Sequence, residues 1–573
     1  MQNPGIQSFL KKNLLIVTKP IQYLGNEIYM QRKQWSTSKA KICLLYPDKY
    51  EVGMSNLAVN LFYTLINSYT KHSLERAFIP DLDMITLLKD NEVPLFSLES
   101  QKPLANFDAL AVSFSTELSF TNALLALDLA RIPRRSKDRL DNEQWPLIFA
   151  GGGGVMNPLP MSIFMDFFVL GDGEEVFKEI CDKIHYFKYK KVITKIEILS
   201  ELNNLDYIFV PLLNEEKKVF RHIYKDFADE SYLEKPLIPL LKTVHNRFSI
   251  EIMRGCPRKC RFCQASYINK PVRIKPKEKL IKQVKNIIMN TGYDEISLSS
   301  LSSSDYPYIK QLLEELEPLC KEKQVSLSLP SLRMDTFSND VSLMINKVRQ
   351  SGVTLAPEAG SQFLRDVINK DLSEDEIIST AKIAAQNSGK SIKLYFMIGL
   401  PGETDQDVED IVNLSFRIIR EIKPAHNKVV VNVSNFVPKP FTPFQWAGQE
   451  SIPEITRKLN FLKAQLRHHQ LELRWTDPQV SQIEGLLSRG DEETGELIEQ
   501  AYKNGAFFDA WYDHFRFDAW QKAIEQCGLK LEGYLTEKAI KKPLPWDFVE
   551  TGVKKEFLLK EYEKALALKR EKI

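Results

Sequence analysis

Short apolar runs alternate with longer amphipathic segments along most of this chain of 573 residues. In the N-terminal part the runs have the composition of buried strands, and the segments between them repeat their apolar positions with the period of a helix. The strand-like runs are KICLLYP, ALAVSFST, PLIFAGGGG and DFFVL. Strands that alternate with helices favour a doubly wound parallel sheet. We therefore predict an α/β domain over residues 41–185, after a leader of residues 1–40.

A second series of alternating elements starts at Phe248. Its strand-like runs are FSIEIM, DEISLSSLSSS, VSLSLPSL, GVTLAPEAG, KLYFMIGLPGET and KVVVNVSNFVPKP, with helical segments between them. This rhythm predicts a (β/α)6 partial barrel over residues 246–445. The stretch 186–245, rich in lysine and then in proline, is predicted to be a linker, and residues 446–573 a helical domain.

The clearest chemical signal is the motif CPRKCRFC, which places Cys256, Cys260 and Cys263 on a loop directly after the first barrel strand. Thiolates are the ligands that iron–sulfur clusters select, and a [4Fe–4S] cube needs one ligand per iron. Three local cysteines leave the fourth iron for a distant ligand, a substrate or a cofactor. A structural zinc site usually takes four ligands in paired clusters, but the next cysteine and histidine are Cys320 and His426. The spacing favours a cluster over zinc and over unrelated thiols.

The CPRKCRFC motif resembles the cluster motif of the radical S-adenosylmethionine (radical SAM) superfamily. The resemblance implies that these cysteines hold a [4Fe–4S] cluster, that SAM chelates the open iron, and that one electron cleaves SAM to a 5′-deoxyadenosyl radical. Residues at the ends of later strands match positions where the family holds SAM, and catalytic groups of β/α barrels gather at those ends. The SAM-binding candidates at strand ends are Ser299, Ser300, Glu358, Gly399 and Ser434. The resemblance adds Phe262, between Cys260 and Cys263, as the aromatic residue beside the adenine. The serines equally suit helix capping, and the glycine a turn of the chain.

The N-terminal domain is similar to the Rossmann-like, cobalamin-binding domain that precedes the radical SAM core in a large subfamily, and the whole chain resembles a family that fuses the two. The segments GGGGVMNPLP and VLGDGEE carry this resemblance. The cobalamin-binding candidates that it implies are Ser115, Gly151, Gly152, Gly153, Gly171 and Gly173. The glycines equally suit tight turns. Other cobalamin domains ligate cobalt through a D-x-H-x-x-G motif, which is absent here. If cobalamin binds, methyl transfer to an unactivated carbon or phosphorus is the natural chemistry.

Composition and charge narrow the choice of partners. The net charge of +2 gives no general case for a polyanion partner, and no apolar run is long enough to span a membrane. Seven cysteines, an odd number, fit a reducing cytoplasm better than a disulfide framework. Reductive chemistry implies an electron donor of the flavodoxin or ferredoxin type. The basic loop YINKPVRIKPKEKLIKQVKN could receive the phosphates of RNA, although such a run is more often solvated helix surface.

Two alternative functions remain open from the sequence. The segment FVPKPFTPFQWA resembles the same region of methylthiotransferase-like radical SAM enzymes, which modify RNA or protein. Those enzymes hold a second cluster with three N-terminal cysteines, whereas this N-terminal half has only Cys43 and Cys181. The other alternative, from a different class, is a non-catalytic protein that uses its iron–sulfur cluster for sensing or structure. The strand-end SAM motifs argue against it.

Overall fold

The computed structural model describes residues 4–213, 217–230, 232–334, 342–344, 353–387, 391–422 and 428–572. Within these residues the N-terminal sheet has six strands: β1 Lys41–Tyr46, β2 Ser73–Phe78, β3 Ala109–Ser113, β4 Leu147–Gly151, β5 Phe167–Val169 and β6 Ile208–Phe209. Their spatial order is β2-β1-β3-β4-β5-β6, and all neighbours are parallel except β5 and β6. The direction of winding therefore reverses between β1 and β3. The carboxyl edge at such a reversal is where doubly wound sheets bind ligands.

The later strands are β7 Val219–Phe220, β8 Phe248–Glu251, β9 Met253–Arg254, β10 Arg273–Ile274, β11 Glu295–Ser299, β12 Ser326–Ser328, β13 Val353–Glu358, β14 Ile392–Ile398, β15 Val429–Asn435, β16 Leu471–Trp475 and β17 Val549–Glu550. Two parallel arcs form the second β/α unit: β8-β11-β12 and β13-β14-β15-β16. The predicted fold class is confirmed: a doubly wound α/β part, a barrel-like β/α part and a mainly helical C-terminal part.

The α-helices in the described part of the chain are Pro4–Asn13, Tyr50–Gly53, Leu57–Tyr69, Leu82–Asp90, Phe120–Leu129, Ser136–Leu140, Glu174–Tyr186, Lys195–Asn203, Gln264–Ile268, Lys277–Thr291, Ile309–Lys323, Gln362–Val367, Glu374–Asn387, Asp405–Glu421, Ile452–Gln465, Pro478–Arg489, Glu493–Lys503, Phe517–Cys527, Glu532–Leu535 and Lys555–Lys572. Local signals set several ends. Thr404 and Asp407 form a capping box that starts the helix after β14, and Gly528 in the left-handed region ends Phe517–Cys527.

Six of the described strands are absent from the predicted pattern: β2, β6, β7, β10, β16 and β17. The hydrophobic pattern does not predict β2, because Glu75 and Arg76, which are both buried, interrupt its apolar run. β6 has only two residues and lies in the predicted linker. β16 lies in the predicted helical part, where it adds to the edge of the barrel sheet, parallel to β15. Its sequence LELRW alternates in polarity, and its exposed end at Trp475 gives a weak signal. The C-terminal part is therefore mainly helical, as predicted, with β16 and the two-residue β17 as its described strands.

One apolar core joins the three parts of the chain. It contains Leu118 from the N-terminal domain, Phe444 from the end of the barrel series and Leu497 from the C-terminal helices. Ile6 and Phe9 of the predicted leader are buried in the same core. The parts therefore hold one another in place. Among the described helices, none is both long and apolar enough to cross a bilayer.

Candidate functional site

The loop that carries the three clustered cysteines, residues 255–263, is closely held by its own backbone. Gly255 has a φ of +86°, and a Cβ there would lie 2.7 Å from the carbonyl oxygen of Asn269, so only glycine suits the position. The amide of Cys263 donates to the carbonyl oxygen of Cys260 at 3.2 Å, and the helix Gln264–Ile268 follows at once. The loop thus starts directly after β9, which follows β8 at the carboxyl edge, and ends at a helix.

Three arginines of the motif region fix this loop to three different elements. Arg254 pairs with Asp172 and Glu174 of the VLGDGEE segment, at 3.2 and 2.7 Å. Arg258 pairs with Asp305, which follows β11, at 2.6 Å. The third, Arg261, is buried and reaches Glu561 in the C-terminal helix, as described below. These anchors set the position of the loop relative to all three parts of the chain.

The cysteines themselves are well shielded. Cys256 and Cys260 are 6% and 7% exposed, and Cys263 is half-buried. Burial raises the pKa of Cys256 and raises that of Cys260 to about 11. Free thiolates are therefore disfavoured, and metal binding would have to displace the protons.

The donor set of this loop suits a cluster better than a single ion. In the described part of the chain no three Cys, His, Asp or Glu side chains converge closely enough to surround one metal ion. In a [4Fe–4S] cube each iron takes its own thiolate, so three ligands serve three irons and need not meet at one point. Three thiols on one short shielded loop meet that requirement.

Most of the sequence-predicted SAM residues lie at the carboxyl ends of β11, β13, β14 and β15, in the two arcs of the barrel-like part. Glu358 ends β13 with a φ of +69°, and its carboxylate accepts a hydrogen bond from Lys370 at 3.1 Å. Both of these charges lie close enough to influence the pKa of the Cys260 thiol. On β15, Ser434 is paired in register with Met397 of β14. These groups therefore line one edge, beside the cysteine loop.

Some of these candidates also have structural roles. Ser300 donates to Ser303 at 3.2 Å and accepts from the amide of Ser302, so its hydroxyl takes part in a local turn. Ser434 donates to the carbonyl oxygen of Phe396. Ser299 is the last residue of β11, and its side chain is half-buried. Their role toward SAM stays a prediction.

Gly399 and Phe262 complete the predicted set. Gly399 has a φ of +81°, and its amide donates to the buried carboxylate of Glu403 at 2.8 Å. Lys458 in turn binds both Glu403 and Glu450, at 2.8 and 2.7 Å, so the GLPGET turn rests on a buried ionic cluster. Phe262 is half-buried against the core that joins the three parts.

A cavity of about 290 Å³ opens at the carboxyl edge of the N-terminal sheet. Its interior is mainly apolar, with Leu61, Phe62 and Phe149 among its walls, and its rim is formed by the glycine loops after β4 and β5. Arg254 and Asn269, which flank the cysteine loop, complete the lining. The cavity therefore lies between the winding reversal of the sheet and the cysteine loop.

Four of the six predicted cobalamin residues line this cavity: Gly151, Gly152, Gly171 and Gly173. Gly152 and Gly171 also have structural reasons to be glycine, since a Cβ would lie 2.3 Å from the Phe114 carbonyl oxygen and 2.2 Å from that of His222. At Gly153, by contrast, a Cβ would meet nothing within 4 Å. Ser115 is exposed and hydrogen-bonded to the hydroxyl of Tyr46 at 3.1 Å.

Several cations of the basic segment after the cysteines are paired with carboxylates. Arg273 pairs with Asp172, Lys275 with Glu230, Lys277 with Glu315 and Lys279 with Asp229. These carboxylates pair with four of the seven cations of the segment and so reduce the charge that suggested an RNA-binding rim. The structure gives the loop a role in packing the two α/β parts together.

Comparison with known proteins decides the family. Residues 250–415 match the model of the radical SAM superfamily, and residues 58–211 match the model of the N-terminal region of radical SAM proteins. The chain belongs to the radical SAM superfamily. Membership implies a [4Fe–4S] cluster and SAM as cofactors, and the family generally needs a reductant.

Similar proteins cover different shares of the chain. The uncharacterized protein MJ0966 of Methanocaldococcus jannaschii is 27% identical over 461 residues, which are 80% of this chain and 90% of that protein. The ribosomal protein uS12 methylthiotransferase RimO of Protochlamydia amoebophila is 25% identical over 193 residues, 32% of this chain and 40% of that enzyme. Among solved structures, the radical SAM methyltransferase TsrM of Kitasatospora setae, with cobalamin and a [4Fe–4S] cluster bound, has a TM-score of 0.50 at 12% identity and covers 71% of this chain and 74% of TsrM. The TsrM likeness shows a shared fold.

The methylthiotransferase alternative requires a second cluster held by N-terminal cysteines, so the positions of the two cysteines in that half can be compared with it. Cys43 on β1 and Cys181 on the helix Glu174–Tyr186 are both fully buried. They belong to two separate apolar cores of the N-terminal domain. They are therefore not placed to share a second cluster.

The sequence reasoning did not identify the charged residues that hold the site. Arg254, Arg258 and Arg261 were visible within or beside the cysteine motif, but their partners lie 47 to 300 residues away along the chain, apart from Glu251 next to Arg254. No local pattern marks such partners. The signal that the sequence does offer is the density of arginine within and beside the cysteine motif.

Proposed function

We propose that Cys256, Cys260 and Cys263 bind a [4Fe–4S] cluster and that SAM binds beside it, at the carboxyl ends of β11, β13, β14 and β15. With one electron supplied, such a cluster cleaves SAM to a 5′-deoxyadenosyl radical, which activates a substrate. One observation carries the proposal: the three thiols lie on a shielded loop at the same edge as Glu358 and Ser434, within a matched radical SAM domain.

In this proposal the chain supplies position and shielding. Arg254 and Arg258 keep the cysteine loop at a fixed place on the barrel edge. Glu358, held by Lys370, offers a carboxylate to the polar groups of SAM, with Ser299 and Ser300 on the adjoining arc. Gly399 lets the chain turn close to the adenine, and Phe262 offers it an apolar surface.

We further propose that the N-terminal domain binds cobalamin, which would serve as a methyl carrier for transfer to the substrate. The fit rests on the cavity at the carboxyl edge of the sheet, whose rim is made by the glycine loops and by Arg254. At about 290 Å³ the cavity is too small for the whole cofactor, so its apolar walls and the glycine loops would hold only part of it. No histidine, cysteine or methionine lines the cavity, so its described lining offers no such cobalt ligand.

The electron would come from a small protein of the flavodoxin or ferredoxin type. A reducing cytoplasm suits the unpaired thiols and a cluster of this kind. We also propose that the functional units follow the predicted division at residues 41–185, 246–445 and 446–573, with the cofactors at the junction of the first two.

The test is an anaerobic reaction of reconstituted protein with SAM and a reductant, with and without hydroxocobalamin, followed by mass spectrometry of the products. We expect 5′-deoxyadenosine in both reactions and S-adenosylhomocysteine only with cobalamin. 5′-Deoxyadenosine alone would retain the radical SAM proposal and reject the cobalamin one. Neither product from protein with a full cluster would favour the sensing or structural alternative.

A further inference from the structure

The C-terminal helix Lys555–Lys572 lies against the barrel beside the cysteine loop. It packs on the helix Gln362–Val367 that follows β13 and on the turn Pro443–Trp446. Tyr562, almost fully buried, places its ring 5.8 Å from that of Trp446. The helix is thus part of the folded body next to the proposed cluster.

This helix makes an ionic contact with the cysteine motif itself. The guanidinium group of Arg261, directly after Cys260, donates to Glu561 from Nε at 3.3 Å and from Nη2 at 3.2 Å. Its Nη1 donates to the carbonyl oxygens of Asp366 and Val367 at 2.9 and 2.8 Å. Arg261 and Glu561 are 5% and 6% exposed, so the pair is shielded from water.

The backbone of Arg261 is held as firmly as its side chain. Its amide donates to the carbonyl oxygen of Ile368 at 2.9 Å, and its carbonyl oxygen accepts from the amide of Phe444 at 3.3 Å. Arg261 therefore joins the cysteine loop to the same two elements on which the C-terminal helix packs. Glu561 supplies the negative charge that this buried cation needs.

The helix also borders the outer face of the loop. A cavity of about 440 Å³ lies there, and its lining includes Pro257, Arg258, Lys259 and Arg261 from the loop and Leu568 from the helix. If the helix moved away, this side of the loop would open further to solvent.

We propose that the C-terminal helix acts as a clasp on the cysteine loop, with Glu561 as a positioning residue that holds Arg261 and thereby keeps the three thiols in place for the cluster. In this proposal the C-terminal part holds the cluster loop in position. Neither its helical pattern nor its composition indicates this role. The assignment rests on the proposed function, because the loop is taken to be the cluster loop.

The first experiment uses the full chain without metal, so it does not depend on the cluster. Rates of anaerobic alkylation by iodoacetamide are measured at each cysteine by mass spectrometry for wild type, Glu561→Gln, Glu561→Asp and the control Glu563→Gln, which lies exposed on the same helix. We expect Glu561→Gln to raise the rates at Cys256 and Cys260 by about tenfold, which corresponds to about 1.4 kcal/mol of easier local opening. Glu561→Asp should restore part of the protection, and Glu563→Gln should match wild type.

Buried Cys320, outside the loop, reports opening of the whole protein. Equal acceleration at Cys320 would show general unfolding and overturn the clasp, as would wild-type rates in Glu561→Gln or an equal effect of Glu563→Gln. The second experiment follows the loss of cluster absorbance from reconstituted protein in the presence of a chelator, where Glu561→Gln should lose the cluster about tenfold faster than wild type. A wild type that takes up no cluster would reject the proposed function, whereas the alkylation rates would still decide the clasp.

Discussion

At the scale of single residues, arginine does most to hold the site. Arg254 is the best placed, because its guanidinium contacts Glu251, Glu174 and Asp172 and so connects β8 with the glycine loop after β5. Its side chain is only 14% exposed. Removing a shielded cation leaves several carboxylates without their partner, which is more costly than losing a surface pair.

We therefore expect Arg254→Ala to lower the free energy of unfolding by about 3 kcal/mol. Arg254→Lys should lose less, because it keeps the charge but cannot reach all three carboxylates with a planar fork. Urea denaturation of the metal-free protein measures both. A midpoint for Arg254→Ala equal to that of wild type would contradict this account of the junction.

Substitutions at the glycines around the N-terminal cavity can distinguish a structural role from a role in ligand binding. Gly171→Ala should destabilise the protein by at least about 2 kcal/mol, since a Cβ meets backbone at 2.2 Å where φ is +110°. Gly153→Ala should leave stability unchanged, because its Cβ enters open space. If the cobalamin proposal is right, Gly153→Ala weakens cobalamin binding without unfolding, measured by equilibrium dialysis with hydroxocobalamin. Unchanged binding would remove Gly153 from the proposed site.

At the scale of elements, strands could be predicted from short apolar runs that are followed by proline, glycine or a polar residue. KICLLYP and KLYFMIGLPGET both form strands close to their predicted positions, as β1 and β14. β2 was not recognised, because Glu75 and Arg76 are buried there through partners distant in sequence, Ser97, Glu99 and Glu27. Hydrophobic periodicity cannot show a buried charge that is satisfied by a distant residue.

In the candidate site, too, local patterns could be predicted and contacts between distant residues could not. The cysteine spacing and the strand-end residues could be read from the sequence, since each is a local pattern. The ion pairs of Arg258 with Asp305 and of Lys458 with Glu403 and Glu450 could not, because they depend on how elements pack. The cavity beside the glycine loops likewise arises only when sheet and barrel come together.

The ion pairs of Lys458, which support the turn after β14, can be tested by substitution. Lys458→Met removes the buried cation that holds Glu403, the acceptor for the amide of Gly399. We expect SAM affinity to fall by about tenfold while the iron content stays at the wild-type level, since the cysteine loop is held elsewhere. Arg457→Met is the control, because that neighbouring residue forms only surface pairs. Equal SAM binding in Lys458→Met and wild type would contradict a role for this turn.

At the scale of the whole molecule, the C-terminal part is attached to the N-terminal domain as well as to the barrel. Asp509 accepts hydrogen bonds from Thr121 at 2.7 Å and from the indole of Trp520 at 3.0 Å. The side chain of Asn122 accepts from the amide of Phe508 at 2.6 Å. The indole of Trp511 donates to Asp48, two residues after β1, at 2.9 Å. These contacts place the loop at residues 504–516, which joins the helices Glu493–Lys503 and Phe517–Cys527, near the carboxyl edge of the N-terminal sheet.

This attachment should make stability depend on pH. Burial raises the pKa of Asp509 from its ordinary 3.8 to about 6. Below pH ~4 the group is protonated in both the folded and unfolded states, and its contribution to stability is fully present. As the pH rises through about 6 that contribution is lost, by on the order of 3 kcal/mol.

The matched variant is Asp509→Asn, which cannot ionise. The difference in Tm between Asp509→Asn and wild type should shift in favour of the variant as the pH rises from about 4 to about 7. Differential scanning calorimetry of the metal-free protein measures it, with Asp513→Asn, an exposed residue of the same loop, as control. A Tm difference that does not change with pH would contradict a buried, ionising Asp509.

The central claim is that Cys256, Cys260 and Cys263 hold a cluster that SAM can approach. The most direct measurement is iron content together with electron paramagnetic resonance of the reduced protein, with and without SAM, in wild type and Cys260→Ala. The account predicts about four irons per chain and a signal that SAM shifts in wild type, with both lost in the variant. A Cys260→Ala protein that keeps its full iron content and still cleaves SAM would contradict it.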